Sequence, residues 1–412
     1  MLNNCLYGMK HKAHGAQKSR HINMIVETTS AAQRSGSHAR AIVQRFLVGV
    51  ILSLLITGAA FGQEGETSWM GIEASAVGVV QGSPGFDGQL GDIDSATEAS
   101  AIFDLGLTAR PWESGAAHVR VKAGLGDGID ESIPNLSIFN AAAMGTDARL
   151  HELWYEHAFG ENVRLRGGKI DMTTDFDTNE AANDEYNQFL SDGFVNNLAV
   201  EFPEDTGLGA MIWVSPNTLF DVGIGFADAV GGWDDVFNSL FSIVELGIKP
   251  EIAGNPGNYR FYGWHNGSDH ERINSSETSF TANYGFGISA DQEIIKGVTL
   301  FARYGKQRGS VSPVSQAWSA GFGITGKFFG RDEDTLGLAY GQAVMGKDWK
   351  AFDEDTGWDS GSERRMEIYY SIKAGNYLKI SPNLQLVKNP LGDKGNSGTW
   401  ALGVRAHLNL SR

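Results

Sequence analysis

The chain has 412 residues, with 33 Lys plus Arg against 49 Asp plus Glu, 53 glycines, 10 prolines and a single cysteine. The acidic balance excludes a nucleic-acid binder, which needs a basic face. The lone Cys5 excludes a disulfide framework. After residue 62 no apolar run approaches the ~18–20 residues of a helical membrane span, which leaves open a barrel that crosses with strands.

In chain order, the first element reads as an export signal. The apolar stretch 46–56 follows Arg34, Arg40 and Arg45, and Gly58, Ala59, Ala60 and Gly62 follow it. This is the order of basic region, apolar core and small-residue cleavage site. Cleavage is expected after Gly62, with translation starting at Met1, Met9 or Met24. Seven of the 33 basic and one of the 49 acidic residues precede Gln63, so the remainder holds 26 against 48, a net of −22. Residues 63–412 show no composition break, linker or tandem repeat, and read as one domain.

Period-two segments then recur between turn signals. Val119, Val121 and Ala123 alternate with Arg120 and Lys122. Segments 150–159 and 163–171 form a hairpin around Gly160-Glu161-Asn162. Segments 210–214 and 220–226 flank Ser215-Pro216-Asn217. Segments 259–264, 280–288, 298–304, 318–329, 335–340, 367–373 and 378–387 follow. The last, 400–410, has apolar residues at every even position and Gly403, Arg405, His407 and Asn409 between them. A strand of ten or so residues, tilted ~45°, just crosses the hydrocarbon core. With weaker candidates the count reaches sixteen or seventeen, and single-chain bacterial barrels favour even numbers. The expected fold is therefore all-β: a sixteen-stranded antiparallel up-and-down transmembrane β-barrel, apolar outside and wet inside. Trp69, Trp112, Trp154, Tyr155, Trp213, Trp264, Tyr304, Trp318, Tyr340 and Trp400 lie near strand ends and suit interfacial girdles.

Several blocks resemble the carbohydrate-selective porin family of the OprB type. They are Leu150-His151-Glu152-Leu153-Trp154-Tyr155-Glu156-His157 running into Arg164-Leu165-Arg166-Gly167-Gly168-Lys169-Ile170-Asp171; Phe176-Asp177-Thr178-Asn179; Ala182-Asn183-Asp184-Glu185; and Gln188-Phe189-Leu190. Pro256-Gly257-Asn258-Tyr259-Arg260 with Trp264, Asp291-Gln292-Glu293 with Phe301-Ala302-Arg303-Tyr304-Gly305, Gly330-Arg331 with Asp334 and Gly337, and Glu367-Ile368-Tyr369-Tyr370 continue the series. Ile380-Ser381-Pro382-Asn383-Leu384-Gln385-Leu386-Val387 with Asn389-Pro390 ends it. The order of the blocks, across residues 69–410, makes the match. The resemblance implies a bacterial outer-membrane barrel that passes small solutes, typically glucose and other sugars, by diffusion and without chemistry. Family members differ in solute, some favouring ions. The resemblance also implies contact with outer-membrane lipid and lipopolysaccharide, and with the barrel-assembly machinery. That machinery reads a terminal aromatic residue, where this chain has Ser411-Arg412. A monomer and a homotrimer both fit.

A diffusion channel selects by width, lining charge and hydrogen-bond partners. An Arg or Lys on the lipid side near mid-membrane costs about 2–4 kcal/mol, so charges on wall strands should face water. The candidate pore-lining and solute-binding residues are Arg120, Lys122, Glu152, Glu156, Arg164, Arg166, Lys169, Asp171, Asp177, Asn179, Arg260, Arg303, Glu367 and Arg405, with at least three arginines expected at the constriction. Lys373 fits the same logic. Guanidinium groups offer a fixed fork of donors to sugar hydroxyls and a face to the ring, and carboxylates accept from the same hydroxyls. Each such charge has a structural alternative, pairing across the wall. Gly167-Gly168 suggests a bulge that re-aims Lys169 and Asp171. The stretch 173–192 either folds inward and narrows the pore or forms an ordinary outer loop.

Other motifs fail on context. Gly321-Phe322-Gly323-Ile324-Thr325-Gly326 has dinucleotide-loop spacing but no following helix. The phosphate-loop matches at Gly321–Lys327 and Gly341–Lys347 lack the Ser or Thr that would hold magnesium. His151 and His157 are six apart, not the four of a zinc helix, and no Gly-x-Ser-x-Gly elbow occurs. No catalytic residue, metal site or cofactor is expected. An ion-conducting, weakly cation-preferring pore is the alternative within the same fold; a barrel-housed hydrolase and a secreted sugar-binding β-protein are the more distant ones.

Overall fold

The computed structural model describes residues 69–88, 91–203, 205–231, 239–273, 278–356, 359–396 and 398–410. The expected export signal and Ser411-Arg412 lie outside the described residues.

Sixteen wall strands follow one another. They are β1 (Met70–Ser83), β2 (Ala96–Trp112), β3 (Gly115–Leu125), β4 (Ala148–Phe159), β5 (Val163–Ile170), β6 (Gly207–Val214), β7 (Phe220–Asp228) and β8 (Leu240–Ile248), then β9 (Asn255–Glu271), β10 (Phe280–Ile295), β11 (Val298–Gln307), β12 (Val314–Thr325), β13 (Thr335–Met345), β14 (Glu363–Lys373), β15 (Leu378–Lys388) and β16 (Thr399–Asn409). Each pairs antiparallel with its neighbours in sequence. β1 also pairs with β16, from Ser75↔Asn409 to Gly82↔Leu402, and this closes the cylinder. The pair Glu251–Ile252 bonds only to the start of β9 and adds no wall strand. A small hairpin, Phe86–Gly88 with Gly91–Ile93, stands apart from the wall. β1 and β2 had no clear sequence signal, because glycine, serine and alanine dilute their alternation, and β8 had none because its inward Phe241 and Ile243 are as apolar as its outward residues.

Period two decides which side each residue faces. In β16, Trp400, Leu402 and Val404 are exposed, while Ala401, Arg405 and His407 are buried. Val80, Leu107, Leu165, Val244, Phe286 and Leu386 continue the exposed apolar belt around the barrel. Trp69, Trp112, Tyr155, Trp318, Tyr340 and Trp400 are exposed as girdle residues should be. Trp154, Trp213 and Trp264 are not: Trp213 and Trp264 are buried in an interior apolar cluster, and Trp154 packs against it. Trp154 and Trp264 fall in the middle of β4 and β9 and not near their ends; Trp213 does lie at the end of β6, where its inward parity makes it core.

The expected bulge at Gly167-Gly168 is absent. Pairing of β5 runs unbroken to both neighbours, from Glu156↔Arg166 to Leu153↔Lys169 and from Val163↔Val214 to Ile170↔Gly207. The register shift falls one strand earlier, where Arg120 pairs with Glu152 but Val121 pairs with Leu150. The extra residue is His151, so His151 and Glu152 are both buried. Gly168 has φ 138°, and a Cβ there would come within 2.2 Å of the Leu153 carbonyl oxygen. The glycine therefore serves close strand approach.

The two rims differ. At one end most connections are short: 113–114, 160–162, 215–219, 249–254, 296–297 and 374–377, with 326–334 beside them. At the other most are longer, and two of them, 126–147 and 171–206, turn back into the barrel. The stretch 173–192 is thus an inner segment, and 126–147 is a second one that sequence reading did not identify. Short turns mark the periplasmic rim of such barrels and long loops the outer rim.

Among the short-rim connections, 326–334 is the longest. Its Asp334 carboxylate accepts from the Arg331 guanidinium, from Tyr370 Oη at 2.8 Å and from the Lys373 amide at 2.9 Å. The Arg331 hydrogen bond is the largest of the influences that pull its pKa down to about 2. A pKa lower in the folded than in the unfolded chain stabilises the turn above about pH 4, and that stabilisation fades as pH falls toward 2. Amide exchange at Lys373 is expected to be slow at pH 6 and markedly faster at pH 2.5 relative to the intrinsic rate, with Asp334→Asn fast at both.

Candidate functional site

The interior is divided. On the side of β5–β9 it is a dry core: Ile170, Met172, Phe176, Val200, Met211, Trp213, Phe241, Ile243, Tyr262 and Trp264 pack together. A second cluster of Phe189, Phe194, Phe301, Ala339 and Tyr369 lies toward β11–β14. Both are built by wall residues meeting the 171–206 segment. Inward glycines make room for it. A Cβ at Gly225 would sit 2.7 Å from Phe176, and one at Gly337 would sit 3.0 Å from Phe189.

The inner segments have almost no regular structure, so their buried N–H and C=O groups need other partners. Wall charges provide them. Arg303 Nη1 donates to the Ala182 and Phe194 carbonyls, and Nη2 donates to the Asp177 carbonyl at 2.8 Å and Asn183 Oδ1 at 3.1 Å. Arg405 donates to the Glu185 carbonyl at 2.7 Å and the Gln188 carbonyl at 2.9 Å. Glu367 accepts from the Leu190 and Ser191 amides at 2.8 and 3.0 Å. Asp177 accepts from the Asn197 amide and Tyr262 Oη, both at 2.8 Å, and its own amide donates to Glu245. Asn179 bonds to Ser289 Oγ and the Ala290 carbonyl, and Arg260 lies between Glu245 and Asp291. Of the candidate residues, then, Asp177, Asn179, Arg260, Arg303, Glu367 and Arg405 face inward and are engaged with the inner segments or their supports.

Two residues of the same kind were missed. Glu363 accepts from the Leu136, Ser137 and Leu391 amides. Arg365 donates to the Ile138 carbonyl, Ser191 Oγ, Gln385 Oε1 and Asn135 Oδ1. Their signal was present: both lie on the inward parity of β14 with Glu367.

Of the remaining candidates, Arg120, Lys122 and Asp171 border open space, whereas Glu152, Arg166 and Lys169 are buried. Arg120 forms a two-pronged pair with Asp104, at 2.7–3.0 Å, and reaches Glu152 at 3.5 Å. Lys122 lies 5.9 Å from the Tyr186 ring. Arg166 bonds Glu156 and Asp175 and stacks 4.3 Å over Trp154, while Arg164 reaches the same two carboxylates with 42% of its side chain exposed. Asp171 caps the short turn Met172–Thr174 and faces His151 Nε2 at 3.3 Å. Lys169 is buried and donates to the Thr206 carbonyl.

Three cavities adjoin along this wetter side. The first, about 160 Å³, opens near the outer rim between Arg149, Asp205 and Asp171. The second, about 330 Å³, shares Asp171 and Thr173 with it and is bordered by Arg120, Lys122, Asp184 and Glu185. The third, about 340 Å³, shares Asn187, His407 and Asn409 with the second and reaches Lys373 and Lys379 at the short rim. Polar and charged side chains dominate the lining of the second and third, while Ile170, Met172 and Phe202 share the first with Arg149, Asp171 and Asp205.

Residues 96–410 match the family described as carbohydrate-selective porin, OprB family. The chain belongs to that family. This porin is a channel of the bacterial outer membrane, and small solutes cross through it. Its fold matches that of Pseudomonas putida OprB in the high-pH structure, with a TM-score of 0.72 at 16% identity over 82% of this chain and 94% of that one. It is 27% identical over 242 residues to an uncharacterized protein of Aquifex aeolicus, covering 58% of this chain and 62% of that protein. It is 21% identical over 331 residues to Porin AaxA of Chlamydia pneumoniae, covering 77% of this chain and 69% of that one.

Removing a buried ionic partner strands the other charge and typically costs about 3–5 kcal/mol. Arg303→Met is therefore expected to lower the thermal unfolding midpoint of the detergent-solubilised barrel strongly and to make single-channel current noisy. Arg164→Met, on the wet face, is expected to change stability by less than about 1 kcal/mol. Unfolding scans and bilayer recordings on the two variants check the contrast.

Proposed function

We propose that this porin passes small neutral carbohydrates by passive diffusion along the wet side of its interior. The observation that supports this reading is the run of three adjoining cavities from the outer to the short rim. Its borders alternate forked donors (Arg120, Arg149), carboxylate acceptors (Asp171, Asp184) and amides (Asn183, Asn187). Such a lining replaces the hydration of a sugar hydroxyl by hydroxyl. Contacts of this kind must stay weak enough for transit. The candidate residues on this route are Arg120, Lys122 and Asp171, with Glu152 reached through Arg120. Glu156, Arg164 and Arg166 form a second charged patch on the same half of the wall. Arg303, Arg405, Glu367, Asp177 and Asn179 act indirectly in this reading, by fixing the inner segment that sets the width.

A weak cation preference accompanies it. Asp171, Asp184 and Glu185 face Arg120 and Lys122 in the middle cavity, and the net of −22 beyond residue 62 adds a long-range bias. Liposome swelling with the purified barrel is expected to give hexose entry faster than trisaccharide entry. In a salt gradient at low ionic strength, the reversal potential should favour the cation, fading as screening grows. Lys122→Glu should strengthen the cation preference, and Asp184→Asn with Glu185→Gln should weaken it. Equal rates for hexoses and trisaccharides would sink the sugar reading, and anion preference the second.

A further inference from the structure

The outer wall carries a feature the channel does not use. Strand register places Trp318, Gln342, Arg364 and Lys388 side by side across β12–β15, near the long-loop rim. One step toward the membrane centre, Tyr340, Met366, Leu386 and Trp400 form the next row. A groove of about 460 Å³ runs between these rows and ends at Gly398, which presents no side chain beside Lys388. Arg364 and Lys388 are exposed, point away from the lumen, and are direct cross-strand partners. Among the described residues neither has a carboxylate partner. Like charges directly opposite each other destabilise a sheet, and lipid-facing charges gain nothing from the belt around them. An anion between them removes both penalties.

We propose that this groove binds a phosphorylated glycolipid of the outer leaflet. Its phosphate is held by Arg364 and Lys388, and its acyl chains lie along Met366 and Leu386 between Tyr340 and Trp400. The long-loop rim faces the cell exterior, so this height is where outer-leaflet headgroups lie. A guanidinium fork matches phosphate oxygens, and an ammonium supplies a second, mobile donor set. Tyr340 and Trp400 have the amphipathic rings that suit the boundary between headgroup and chain. The apolar floor below the charges selects a lipid over a free anion.

The test uses the folded barrel in detergent, titrated with bisphosphorylated lipid A and with fully dephosphorylated lipid A, and read by native mass spectrometry. The phosphorylated form is expected to bind at least about tenfold more tightly, as one or two charge-assisted hydrogen bonds would give. R364Q/K388Q should abolish that preference and R364K/K388R should keep most of it. Bilayer conductance should stay unchanged in both, because the side chains lie outside the pore. Inorganic phosphate should compete only weakly. Equal binding of the two lipids, an unaltered preference in R364Q/K388Q, or inorganic phosphate competing as strongly as the lipid would each overturn the proposal.

Discussion

Irregular backbone inside a membrane-spanning cylinder has to find its hydrogen bonds somewhere, and that constraint organises this molecule. The segments 126–147 and 171–206 leave the wall, cross the lumen and return without forming helix or sheet of any length. Unsatisfied amides and carbonyls at that depth would each cost several kcal/mol. The wall answers with carboxyl and guanidinium side chains. Glu363 and Glu367 collect amides; Arg303, Arg365 and Arg405 collect carbonyls. Among the described residues of these segments, Ile138 and Asp177, with φ of 51° and 56°, are the non-glycine ones in the left-handed region. The carbonyls of both are held by wall arginines, Arg365 and Arg303. Strained turns persist where their surroundings over-determine them, and here each is pinned by a guanidinium.

The same segments split the interior into a dry half and a wet half. Phe176, Phe189 and Phe194 carry apolar surface into the lumen, where inward glycines on the wall receive it. The packed half is rigid in the way a soluble core is rigid. What remains open lies against β1–β4 and β14–β16, so solute meets fixed walls on one flank and a fixed segment on the other. Width and lining charge are thus properties of a braced structure.

Much of this was legible in the sequence, and the misses have physical causes. The strands β4, β5 and β16 could be read directly because charged and apolar residues alternate along much of each. The inward face followed from the cost of charge in lipid, and it placed Arg303, Glu367 and Arg405 on the correct side. Their engagement with backbone was not legible, because the partners are carbonyls and amides more than a hundred residues away, and these carry no sequence signature. The tryptophans show the opposite failure. Trp213 sits at a strand end like a girdle residue, and only parity against a filled interior reveals that it is core; Trp264 lies mid-strand, because β9 extends further than its sequence pattern suggests. The bulge was assigned to Gly167-Gly168, since glycine is the usual marker; it falls instead at His151, opposite the boundary between Arg120 and Val121.

Closure of the cylinder has a temporal corollary. The first wall strand pairs with the last, so the seam between β1 and β16 zips only when synthesis and export have delivered both. Arg405 lies on that last strand and also grips the carbonyls of Glu185 and Gln188. Until the seam forms, the midsection of the inner segment lacks one of its anchors. Sealing the wall therefore coincides with the last tether of the inner segment, and an unsealed intermediate would expose a bare edge and a less firmly held interior.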